Sequence, residues 1–282
     1  MFRKVIVAVD ASGPSMELLN GMDDLLKLGM KELIIVHVIR TETAGIGLSI
    51  RREKFLQNIE DKKSEINALG VEVKILQPIG KPSEEIKLVA TEEKADLILI
   101  GSLGEGSLVR RLFLGSTVTE VIRGTKISVL VEKYAREEGR LMRIPVFQEG
   151  KPATALLATD FSRSSLHIFD TFLDQPGIFE RLVLFNVIDE GYTEQQLKAN
   201  TEKAMARLEE WKSEFESKGF EVNIEVVIGV ASEHIIEASK RDDISILAIS
   251  RRGRSMVDEL VIGSNADHIV RQSACPVLLL KA

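Results

Sequence analysis

VIVAVDASGPS, at residues 5–15, returns as ALLATDFSRSS at residues 155–165. Each copy is a short aliphatic run that reaches an aspartate and then breaks into a serine-rich turn. The repetition continues outward from this pair. IIVHVIRTE (34–42) returns as LVLFNVIDE (182–190), and GKPSEEI (80–86) as GVASEHI (229–235). GSLGEGSLVRRLFLGST (101–117) returns as SRRGRSMVDELVIGSN (250–265). The offset is 150 from Asp10 to Asp160, 149 from Val38 to Val187, 149 from Gly104 to Gly253 and 148 from Gly115 to Gly263. So small a drift marks two copies of one domain. Solenoid repeats run at only about 20–50 residues, so this period is a tandem of whole domains.

Within each copy, short aliphatic runs alternate with longer amphipathic segments. Strands are predicted at 4–9, 32–38, 72–78, 97–101 and 128–131, and again at 154–159, 181–187, 221–227, 245–250 and 277–280. They are rich in Val, Ile and Leu without strict alternation, as strands buried on both faces are. Helical spacing places Phe55, Leu56, Ile59, Ile66 and Leu69 on one face of a helix at 53–69. Leu197, Met205, Leu208, Trp211 and Phe215 do the same at 194–219, with Trp211 read as core filling. Gly70 and Gly219 read as stop signals. Strands alternating with helices call for parallel pairing through right-handed crossovers. The predicted fold class is α/β: two tandem, open, doubly wound domains, each a five-stranded parallel sheet with flanking helices, Rossmann-like. The domains are placed at 1–134 and 153–282, joined by a charged linker, 135–152, whose Val146 and Phe147 are expected to pack on one domain.

Length and composition agree. At about 150 residues per domain, 282 residues make two. A formal charge of −6 argues against a general nucleic-acid binder, which needs a basic surface to release counterions. Cys275 is the only cysteine and is expected at the start of a buried strand. The four histidines are scattered, so no metal cluster is expected. The apolar run before Asp10 is too short for a signal-peptide core, and no run approaches the about 18 residues a membrane helix needs. A cytoplasmic protein without membrane contact is expected.

In an open parallel sheet, ligands bind beyond the carboxyl ends of the strands, where strand order reverses. Three features of each copy converge there: Asp10 or Asp160 after the first strand, Val38 or Val187 at the end of the second, and a Gly-containing loop after the fourth. That loop leads from Gly101 or Ser250 to a helix opened by Gly115-Ser116 or Gly263-Ser264. Glycines let backbone N–H groups approach an anion, and a helix start adds unpaired donors. The Gly-Lys-Ser/Thr ending of a P-loop is missing, as is a dinucleotide fingerprint after the first strand. Ser12, Ser15, Ser162 and Ser164 are assigned to capping the helix that follows.

Both copies resemble the universal stress protein family over nearly the whole chain outside the linker. The adenine-nucleotide signature of that family is Gly, two residues, Gly, nine residues, Gly, then Ser or Thr. The resemblance implies that Asp10 and Asp160 contact the nucleoside and that the backbone of Val38 and Val187 reads the adenine edge. It assigns ribose and phosphates to Gly101, Gly104, Gly115 and Ser116 in the first copy. In the second it assigns them to Ser250, Arg252, Gly253, Gly263, Ser264 and Asn265. Each copy departs once from the pattern. Ten residues separate Gly104 from Gly115, and Glu105 lies in that loop, with Arg110 and Arg111 to offset it; Ser250 stands where the first glycine belongs. Arg251, Arg252 and Arg254 add positive charge to the second loop. The second site therefore ranks as the better one.

The resulting expectation is a nucleotide-binding stress-response protein holding ATP or AMP, with magnesium accompanying ATP. Two alternatives stay open: an assembly module with degenerate sites, and a slow ATP hydrolase. No general base stands in both loops, so weak hydrolysis is the most an enzyme reading allows. The apolar last strands, ISVLVEK and CPVLLLK, invite edge pairing. The resemblance implies that they pair within the chain as a pseudo-dimer, with a homodimer as a further option.

Overall fold

A computed structural model describes residues 1–43, 48–103, 114–191, 193–253 and 262–281. The chain divides into two compact units, Met1–Ile144 and Pro145–Ala282.

In the first unit, β1 (Lys4–Ala8) pairs in parallel with β2 (Glu32–Val36) on one side and β4 (Leu97–Gly101) on the other. β3 (Glu72–Leu76) flanks β2, and β5 (Ser128–Glu132) flanks β4. The order β3-β2-β1-β4-β5 reverses direction between β1 and β4. The helices are α1 (Gly13–Glu17), α2 (Met22–Lys27), α3 (Leu48–Ala68), α4 (Pro82–Glu92) and α5 (Ser116–Gly124). An antiparallel hairpin, β6 (Tyr134–Glu137) and β7 (Arg140–Arg143), follows β5. Apart from Tyr134, it falls within the expected linker, 135–152.

The second unit repeats the plan. β8 (Thr154–Ala158) pairs with β9 (Arg181–Ile188) and β11 (Ile246–Ser250). β10 (Glu221–Ile228) flanks β9, and β12 (Val277–Leu280) flanks β11, all in parallel. Its helices are α6 (Arg163–Leu173), α7 (Glu194–Ser217), α8 (Ala231–Ala238) and α9 (Ser264–Gln272).

The ten strands expected from sequence are present, with ends moved by at most two residues. β4 and β8 are buried along their whole length, whereas β3 and β10 are partly exposed, which is the burial that a doubly covered sheet dictates. Gly70 and Gly219 stand at φ +80° and +93°, the left-handed geometry that ends α3 and α7. The core of the first unit is aliphatic, with Leu18, Leu25, Leu33 and Ile59 fully buried. The second is aromatic: Phe172 packs on Phe179, which meets Phe147, and Phe215 packs on Phe169 and Phe220. Val146 is fully buried and Cys275 is buried.

Two sequence readings of the long helices need correction. Leu56 and Leu69 are 39% and 50% exposed. The stripe on α3 that meets the sheet is Phe55, Ile59 and Ile66, narrower than the five residues expected, because a single sheet face covers only one side of a helix. Trp211 is half-buried, with its ring against Phe169 and edge-on to Phe161.

Candidate functional site

The turn after the first strand is built the same way twice. Asp10 Oδ1 accepts the Ser12 N–H at 3.0 Å, and Asp160 Oδ1 accepts the Ser162 N–H at 2.9 Å. Between them, Ala11 (φ 63°) and Phe161 (φ 59°) take the left-handed conformation that side chains with a Cβ rarely adopt. Ser12 caps α1 by accepting from Ser15 N, and Ser162 caps α6 by accepting from Ser165 N. Ser15 and Ser165 lie inside the first turn, where their hydroxyls donate back to the carbonyls of Ser12 and Ser162. Neither Ser15 nor Ser164 is therefore the cap expected of it; the residue equivalent to Ser15 is Ser165.

Val38 and Val187 owe their position to where the first strand stops. The Val36 carbonyl accepts the Val9 N–H, and the Phe185 carbonyl accepts the Thr159 N–H, each at 2.9 Å. Two residues on, the strand alternation turns the N–H and C=O of Val38 and Val187 to that same side, beyond the end of the first strand. His37 N and Ile39 N bond the other way, to Leu76 O and Pro78 O. A donor and an acceptor thus face the crevice from one residue, which is the pattern needed to pair with a base edge.

The loop after the fourth strand closes the crevice. Gly115 and Gly263 are the N-caps of α5 and α9, and neither helix start has a side-chain cap bond. The donors of the first turn, from Ser116 and from Ser264 and Asn265 onward, are left for an anion. Neither glycine needs a special backbone: φ is −57° at Gly115 and −65° at Gly263. At Gly115 what matters is open space, since among the described residues a Cβ there would meet only Val118, at 3.8 Å. Gly253 is a closer approach, where a Cβ would stand 3.0 Å from Asp160 Oδ2. Gly101 has a different reason to be glycine: a Cβ there would collide with the hydroxyl of Tyr134, which donates to Pro14 O at 2.8 Å. Ser250 lies outside the left-handed region, so serine is tolerated, and its hydroxyl donates to Arg252 O at 2.7 Å.

These residues line one crevice in each unit. In the first, Asp10, Val38, Gly101, Gly115 and Ser116 surround a cavity of about 440 Å³. In the second, Asp160, Val187, Ser250, Arg252, Gly253, Gly263, Ser264 and Asn265 surround about 250 Å³. Gly104, Glu105, Arg110, Arg111 and Arg254 lie outside the described residues. The walls were not anticipated from sequence: Ile86 and Pro82 of α4, and Ala231 and Ile235 of α8. Their signal was the repeated GKPSEEI and GVASEHI, whose matching isoleucines, Ile86 and Ile235, stand at equivalent places.

Both crevices sit at the reversal of strand order, with the same turn, the same turned backbone and the same uncapped glycine helix start. The model of the "Universal stress protein family" matches residues 1–133 and again 153–281. The chain belongs to the universal stress protein family. A universal stress protein of Synechocystis is 25% identical over 252 residues, covering 84% of this chain and 81% of that relative. A shorter universal stress protein of Bacillus subtilis is 31% identical over 150 residues, covering 46% of this chain and 99% of its own. A universal stress protein structure from Archaeoglobus fulgidus superposes with a TM-score of 0.67 at 22% identity, covering 99% of this chain and 96% of that one. That likeness establishes the tandem family fold.

The electrostatics of the two universal stress crevices differ. Arg251 is only 6% exposed, and burial, aided by neighbouring Arg252, pulls its guanidinium down to about 10, still protonated at neutral pH. Asp267, in the first turn of α9, is paired with Arg271 at 2.8 Å, which offsets its charge near the helix start. Asp189 and Glu190 are among the residues lining the second crevice, and Ile39 and Arg40 are among those lining the first. Among the described residues, no group of three or more His, Cys, Asp or Glu is placed to hold a metal ion. Nor is any helix long and apolar enough to cross a membrane.

Proposed function

We propose that this chain binds adenine nucleotide in these crevices as a regulatory protein. The observation that carries the reading is the pairing, within one crevice, of the turned backbone of Val38 or Val187 with the uncapped helix start at Gly115 or Gly263. The first suits the edge of adenine and the second suits phosphate oxygens. Asp10 and Asp160 then lie between base and phosphate, where a carboxylate accepts ribose hydroxyls. The family signature supports the same assignment. ATP would bring magnesium on its phosphates, whereas AMP needs none.

We take the second unit to be the tighter site. Its loop keeps the nine-residue spacing, and Arg251 and Arg252 place positive charge beside the phosphate end. One observation favours the opposite ranking: the first cavity falls within the usual range of about 300–1,000 Å³ for small-molecule sites, and the second is smaller.

Calorimetry with ATP and with AMP on the wild type, Gly115→Arg and Gly263→Arg tests both rankings, because an arginine fills the cradle of its own unit. Loss of binding only in Gly263→Arg supports the second unit, and loss only in Gly115→Arg supports the first. Two equivalents per chain, removed separately, mean two live sites. No heat with wild type at millimolar nucleotide would overturn the proposal and leave the assembly module.

A further inference from the structure

The two units differ at one place beside the nucleotide crevice. Under α3, the rings of His37 and Phe55 stack 4.1 Å apart. The equivalent residues, 149 positions on, are Asn186 and Ala204. The helices are in the same register, since Phe55, Ile59 and Ile66 and their counterparts Ala204, Leu208 and Phe215 are all buried. With an amide and a methyl in place of the two rings, a cavity of about 380 Å³ lies between α7 and the end of β9. The nucleotide crevice is walled by α8 and α9, which the crossover rule puts on the other face of the sheet from α7.

The lining of this cavity is polar and charged. Asn186 is 2% exposed and donates from Nδ2 to Thr159 O at 2.7 Å, but its Oδ1 has no hydrogen-bond partner. A buried amide oxygen left unpaired is costly, so such an atom marks an absent donor. Lys203 and Arg207 reach the cavity from one face of α7. Among the described residues, neither has a carboxylate within 4.0 Å. The Arg207 guanidinium lies 4.3 Å from the Phe161 ring centre, over the bulky residue held at φ 59°. Asp189 and Glu190, which with Val187 also line the nucleotide crevice, supply the opposite wall. The cationic wall repels a simple cation, and the anionic wall repels a simple anion.

We propose that this cavity is a second ligand site and that it takes a small zwitterion of amino-acid size. The ligand carboxylate meets Lys203 and Arg207, and its ammonium meets Asp189 and the Asn186 Oδ1. Trp211, the only tryptophan of the chain, has its ring 5.6 Å from that of Phe161 and reports on the site.

The test is a titration of the full-length protein, followed by Trp211 fluorescence, with glycine, L-leucine, L-glutamine, L-glutamate and L-lysine. n-Butyrate and n-butylamine serve as singly charged controls. At least one amino acid is expected to saturate with a Kd of about 1 mM or tighter, with both controls about 10-fold weaker or worse. The double substitution Asn186→His with Ala204→Phe, which rebuilds the ring pair of the first unit, is expected to abolish the response and leave nucleotide binding by calorimetry unchanged. Arg207→Ala, which leaves the core untouched, is expected to weaken the response at least 10-fold should the double variant fail to fold. The proposal is overturned if none of the five amino acids shifts the fluorescence at about 10 mM, or if the response survives both substitutions. Neither result bears on the nucleotide reading, whose own test uses the crevice glycines.

Discussion

Glu132 shows how much one residue can bias the first unit. Arg143, from β7, donates through Nη1 to Asp24 Oδ2 at 2.6 Å and to Glu132 Oε1 at 3.2 Å. Glu132 Oε2 is buried without a hydrogen-bond partner. Burial pushes the Glu132 carboxyl up to about 7; Arg143 pulls it down and Asp24 pushes it up. The folded chain thus keeps a proton, between about pH 4.5 and 7, that the unfolded chain has lost. Its contribution to stability is complete below that window and is lost as pH rises through it. Glu132→Gln is expected to remove this slope, read as the pH dependence of the urea midpoint of the mutant against wild type. Identical slopes would show that Glu132 is ionised throughout. The sequence offered no sign of this cluster, because its members come from α2, β5 and β7. Asp10 and Asp160, by contrast, were legible, since a carboxylate ending an aliphatic run needs only local geometry to reach the crevice.

At the level of elements, the repeat explains what could be read and what could not. Strand positions followed from aliphatic runs, and the ends of α3 and α7 from Gly70 and Gly219, because these signals are local. Gly219→Ala forces a Cβ into the left-handed region and is expected to cost about 1 kcal/mol. Ser162→Ala removes the α6 cap and is also expected to cost about 1 kcal/mol. Both are measured as chemical-unfolding midpoints, and a neutral result at either would refute the local account. Phe172→Ala, in the aromatic core of the second unit, is expected to cost about 3–5 kcal/mol. The β6–β7 hairpin was missed. Its strands have four residues each and carry charges, and what holds them is Arg143 reaching Asp24 and Tyr134 reaching Pro14, contacts made across more than a hundred residues.

For the molecule as a whole, two copies of one sequence plan make one fold twice and pack it differently. The aliphatic core of the first unit and the aromatic core of the second satisfy the same strand order, because a core needs the right volume and pattern more than particular residues. The net charge of −6 gives the surface no general attraction for polyanions. No mobility shift with duplex DNA is therefore expected at about 0.1 M salt, and a shift that fades steeply with added salt would reveal a basic patch. The sequence by itself determined the tandem, the α/β class, the strand positions and the aspartate, valine and glycine landmarks, because each is written in local pattern and repeated at a constant offset. Only the tertiary structure decided that Gly101 makes room for Tyr134, that isoleucines of α4 and α8 wall the crevices, and that Asn186 and Ala204 leave open what His37 and Phe55 fill. Those outcomes depend on which distant side chains meet, and that is a matter of packing in three dimensions.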